Sequence, residues 1–191
     1  MTRSASSVIR VALLVLLGVV LQVSGFAQVR VLGASPDITP LLVAAVALWG
    51  GSVPGAVTGF SVGLLLDLAI GQNVGSSSLV LSALGYGVGR FGELRDPAHG
   101  LIAIPVGAAA TFGYLVAFAT VSFMLELEAS VSPLMVRDAI VTTLLNVLIA
   151  VPFFGVVRRV VRPVLLTQPG TRRRRAETSA TGPLGLRGLE V

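Results

Sequence analysis

The chain has 191 residues, 54% of them hydrophobic and only 12% charged, with a mean hydropathy of +0.90. A soluble domain carries about 25% charged residues, so the composition excludes one and marks an integral membrane protein. Zero cysteines exclude disulfides, thiolate metal sites and cysteine nucleophiles, and a single histidine leaves no ligand set for a metal. The net charge of +5 sits on arginines flanking apolar runs, a pattern of membrane orientation rather than nucleic-acid binding.

Six apolar segments follow along the chain, roughly 8–27, 38–50, 54–71, 76–92, 101–125 and 138–157. They predict an all-α integral membrane protein with six transmembrane helices over residues 1–163. The first segment also has features of a signal peptide: Arg10, an apolar stretch, then the small-residue pattern Gly25-Phe26-Ala27. The second segment is short, because its 13 residues reach only about 20 Å against a hydrocarbon core of about 30 Å. A bend at Pro40, a deeper start or local thinning of the bilayer would accommodate it.

Charge parity supports six crossings. Arg3 and Arg10 precede the first segment, and Arg158, Arg159, Arg162, Arg172 to Arg175 and Arg187 follow the last. The positive-inside rule therefore puts both ends in the cytoplasm, together with the loop around Arg90 and Arg95. Arg30 and Arg137 fall outside, as does a loop opened by Glu126 and Glu128. Residues 164–191 lose all helical periodicity and read as a basic, disordered cytoplasmic tail. Its arginines Arg172, Arg173, Arg174 and Arg175 either touch anionic lipid headgroups or act only as a topology determinant.

Two motifs imitate active sites. Gly59-Phe60-Ser61-Val62-Gly63 matches G-x-S-x-G, but that motif needs a strand-to-helix turn and a histidine base. Ser61 lies inside an apolar helix, and the single histidine, His99, falls in a loop outside it. Gly87 to Gly92 matches G-x-G-x-x-G without the preceding strand that a dinucleotide site requires. Neither an enzyme nor a cofactor is expected.

The sharpest feature is a ladder of small residues at steps of four: Gly55, Gly59, Gly63 and then Asp67, with Gly51 and Gly71 extending it. Glycines four apart let another helix approach until the backbones nearly touch. The row drifts about 40° per step, which suits contact along the i±4 ridge or with two successive neighbours. Gly85 and Gly89 repeat the spacing on the next segment, predicting that the two segments are neighbours across the turn 71–74. Asp67 has two readings, an acid near the outer interface or one bonded inside the bundle. Asn146, near the middle of the last segment, is expected to make an interhelical hydrogen bond.

These residues carry a resemblance. Pro36-Asp37 opens the second segment, followed by G-x-x-x-G-x-x-x-G-L-L-L-D at 55–67 and S-x-L-V-L-S-A-L-G-Y-G-V-G at 77–89. That order resembles the rod shape-determining MreD family of bacteria, most strongly over residues 36–92. The resemblance implies a fold similar to the six-helix S components of energy-coupling-factor transporters. It also implies a non-catalytic scaffold of the inner (plasma) membrane, acting with MreC and MreB in peptidoglycan elongation. RodA-type glycosyltransferase and a class-B penicillin-binding protein are the implied enzymes of that complex. Pro36, Asp37, Gly55, Gly59, Gly63, Asp67 and Tyr86 fall on the family's recurrent positions, and the basic tail goes beyond its pattern. On this reading the glycine faces dock MreC or other membrane helices. The alternative function is a small-molecule-binding S component, with Asp67, Asn73, Tyr86, Tyr114 and Asn146 as polar pocket residues and prolines 40, 54, 105 and 152 breaking helices.

Overall fold

The computed structural model describes residues 2–71, 74–94, 102–124 and 133–165. Asn73, Arg95, His99, Glu126, Glu128 and the tail with Arg172 to Arg175 lie outside the described residues. The described residues form six α-helices: α1 (Thr2–Ser24), α2 (Ile38–Gly50), α3 (Ser52–Ile70), α4 (Ser76–Leu94), α5 (Ala103–Met124) and α6 (Pro133–Leu165). A short 3-10 turn, Phe26–Gln28, follows α1. Among the described residues three helical stretches, Ser52–Ile70, Ala103–Met124 and Val136–Val161, are long and apolar enough to cross a membrane. The apolar stretches Ile9–Ser24 and Ile38–Gly50 are shorter.

Local chemistry explains most boundaries. Asp37 caps α2 by accepting the Thr39 N–H at 2.9 Å. Pro40 falls in the first turn of that helix, where a missing N–H costs no intrahelical bond; a bend there is unnecessary. One residue, Gly51 at φ 94°, separates α2 from α3, and only glycine holds that conformation without strain. Gly71 ends α3 in the left-handed region with its N–H on the Asp67 carbonyl. The sixth helix runs well past the predicted segment because Arg137, Asp138, Arg158 and Arg159 limit an apolar run but not a helix.

The short second helix lies at the centre. Every residue from Ile38 to Leu48 is buried, and α2 is packed against each of the other five helices. A helix apolar on all sides is one surrounded on all sides. Its shortness is tolerated because protein rather than lipid covers it. The helices α3 and α4 form the most extensive pair and run antiparallel, while α5 pairs with α6.

Candidate functional site

The ladder on α3 is filled by α4. A Cβ on Gly55 would collide with the Gly85 carbonyl and lie 2.6 Å from the Ala47 Cβ of α2. One on Gly59 would strike the Leu81 carbonyl and lie 2.9 Å from the Ser82 nitrogen, and one on Gly63 would fall against the Ser77–Ser78 backbone. In return, side chains at Gly85 and Gly89 would strike the backbones of Gly55 and Gly51. The two helices therefore touch backbone to backbone along almost their whole length, which maximises dispersion contact where water supplies no driving force. Of the two uses open to these glycines, helix packing and partner binding, the contacts on the ladder are of the first kind: the surface is occupied by the neighbouring helix of the same chain.

Two acids lock this hairpin at its ends. Asp67 is 4% exposed and accepts the Gly75 N–H at 2.7 Å, tying the end of α3 to the residue before α4. At the opposite end Glu93, on the last turn of α4, accepts both the Ser52 N–H and hydroxyl at 2.8 Å, capping the start of α3. Each helix thus supplies from its C-terminal end a carboxylate for the N-terminal end of the other, where exposed N–H groups favour negative charge. Hydrogen bonds from the Ser52 N–H, the Ser52 hydroxyl and Arg90 hold the exposed Glu93 carboxyl below its ordinary value.

A second polar assembly grips the connector between α1 and α2. Asn146 on α6 reads both faces of the Asp37 peptide groups: its Oδ1 accepts the Asp37 N–H at 3.0 Å, and its Nδ2 donates to the Asp37 carbonyl. The same amide donates to Thr111 of α5 at 2.9 Å. Thr142 donates to the Ser35 carbonyl at 3.1 Å. From α1, Gln22 accepts the Ile38 N–H at 2.9 Å and donates to the Pro36 carbonyl at 3.5 Å. Farther out, Arg137 donates to the carbonyl of Leu32 at 3.3 Å. Leu32, with φ 55°, and Gly33 form a tight turn between Val31 and Ala34. Non-helical backbone among membrane helices is tolerated only where something satisfies its N–H and C=O groups, and these four side chains do so.

Of the residues singled out in the sequence, Pro36, Asp37 and Asn146 meet in this clamp, while Gly55, Gly59, Gly63, Asp67, Gly85 and Gly89 meet in the hairpin. Tyr86 joins neither. It is 54% exposed on the outward face of α4, beside Gly87, which has open space before it. Tyr114 is buried against Phe118 and Ser77. Spacing and motif do not point to Gln22, Glu93, Thr111, Thr142 or Arg137. Their signal in the sequence is a polar residue interrupting an apolar run or closing a helix, which names a buried or terminal bond but not its acceptor.

Comparison with curated proteins and with solved structures gives no match. The family model described as rod shape-determining protein MreD matches residues 2–164, a span that includes the hairpin and the clamp. This membrane chain therefore belongs to the rod shape-determining MreD family.

Proposed function

We propose that the protein is a non-catalytic scaffold of the cell-wall elongation complex in the bacterial inner membrane, binding MreC and helping to direct peptidoglycan synthesis. MreB, a RodA-type glycosyltransferase and a class-B penicillin-binding protein are its wider partners. The chain crosses the bilayer six times with both ends cytoplasmic, in an arrangement like that of S components. The Asp37–Asp67 end of the bundle then faces outward and the Arg10–Glu93 end inward. The observation that carries the scaffold reading is the use made of the buried polar groups. Asp67, Gln22, Thr142 and Asn146 are hydrogen-bonded to the chain's own backbone, so they fix a shape rather than present a reactive or ligand-binding surface. The transport alternative asks Asp67 and Asn146 to hold a polar ligand, and both are already engaged.

Since the ladder is internal, partner contact falls to outward faces such as that of Tyr86. The test is co-purification of MreC from the native host in mild detergent. MreC is expected with the wild type and reduced with Tyr86→Ala, at unchanged expression. Recovery of a transporter ATPase pair in place of MreC would overturn the scaffold reading.

A further inference from the structure

The first helix is seated on the bundle along one narrow stripe. Val15, Gly18, Val19 and Gln22 are buried, and Gly18 lets the Leu42 side chain of α2 come against the α1 backbone. The adjoining stripe, Leu13, Leu17 and Leu21, stays exposed. Between it and Val156 and Val160 of α6 runs an open groove of about 370 Å³, floored by Leu42, with Arg10 at one end. Every other lining residue is apolar or glycine, so the groove offers no partner to a polar ligand along its length.

Two measures favour one occupant. From Arg10 to Leu21 the helix rises about 16 Å, roughly half of the ~30 Å hydrocarbon thickness, which is the depth of one leaflet. The mouth is cationic and uncompensated. Arg90–Glu93 is the ion pair among the described residues, which leaves Arg10 without a counter-ion there. An apolar channel one leaflet deep with an unpaired guanidinium group at its mouth matches a phospholipid: acyl chain along Leu13, Leu17 and Leu21, phosphate at Arg10.

We propose that an anionic phospholipid of the cytoplasmic leaflet occupies the groove between α1 and α6, bound by its phosphate at Arg10, and completes the seat of α1. The leaflet, though not the groove, rests on the topology given above. The test is native mass spectrometry of the delipidated full-length protein, re-supplied with phosphatidylglycerol or with phosphatidylcholine of the same acyl chains. One phosphatidylglycerol is expected to survive activation, with phosphatidylcholine retained about fivefold less, the factor one interfacial arginine contributes. Arg10→Gln removes that preference, and Leu17→Trp, which fills the groove, removes the adduct of either lipid. Leu79→Trp, on the exposed face of α4, keeps both. Equal retention of the two lipids by the wild type, or an adduct surviving Leu17→Trp, overturns the site. So does a dimer mass lost in Leu17→Trp, which assigns the groove to a second copy. The leaflet is read separately, by an impermeant thiol reagent on Ser4→Cys in right-side-out vesicles. Protection is expected, and labelling overturns the topology and the leaflet while leaving the groove result intact.

Discussion

The α3–α4 hairpin and the connector clamp hold helices together by opposite means. In the hairpin, side chains are removed so that backbones meet, and the contact is continuous from Gly51 to Gly63 on one helix and from Ser77 to Gly89 on the other. In the clamp, side chains from α1 and α6 reach a stretch of chain that is not helical, each satisfying a backbone group that would otherwise be orphaned, while Thr111 of α5 accepts from the Asn146 amide. The first device tolerates no added atom, and the second no lost donor or acceptor. This difference dictates which substitutions each region resists.

Adding atoms to the hairpin is expected to have the largest effect. Gly59→Leu drives a side chain into the Leu81 carbonyl, which belongs to the backbone and cannot swing aside; overpacking of this kind costs about 3 kcal/mol or more. The variant should fail to accumulate as a monodisperse species in detergent. Gly87→Leu lies on the outward face of α4, where nothing stands before the glycine. It is expected to stay within about 0.5 kcal/mol of wild type, read from its melting temperature. Equal damage from both would break the distinction between ladder and outward-facing glycines.

Removing groups from the clamp comes next. Asn146→Leu leaves the Asp37 N–H and carbonyl without their partner, at about 2–3 kcal/mol, read as a lower melting temperature. Asn146→Asp keeps the acceptor for the Asp37 N–H and loses the donors to Asp37 and Thr111. Its melting temperature should not exceed the wild type's, and a value above it would show that the amide is not what holds the connector. Asp67→Leu removes the bond to Gly75 and is expected to cost about 1–2 kcal/mol, with Asp67→Asn recovering most of it because a carbonyl oxygen remains.

The smallest effect belongs to Glu93. Its carboxyl is held below the ordinary value, first by the Ser52 N–H. A lowered folded value means that the stabilisation is present above the unfolded value near 4.5 and disappears as pH falls through the depressed folded one. The melting temperature should therefore decline on acidification below about pH 4.5 more steeply in wild type than in Glu93→Gln. Parallel curves for the two proteins would remove Glu93 as an electrostatic lock.

Much of the hairpin is legible from spacing alone. Small residues at steps of four on two consecutive segments describe a close contact, and a short turn makes the segments neighbours. The clamp is legible only in fragments. Asn146 stands out as an amide in an apolar run, and Pro36-Asp37 as a helix opening, yet 109 residues separate the amide from Asp37 and no local pattern joins them. The second segment invites a different error. Its 13 residues look too short for lipid, when the relevant solvent for that helix is the other five helices.

By itself the sequence determined the helical membrane character and which face of α3 had to be small, because hydropathy and residue spacing are local properties of a chain. Only the tertiary structure decided that α2 is the central helix, that α4 covers the ladder from Gly51 to Gly63, and that Asp67 and Glu93 lock opposite ends of one hairpin. A spacing defines a surface, whereas the occupant of that surface depends on how every other segment is packed.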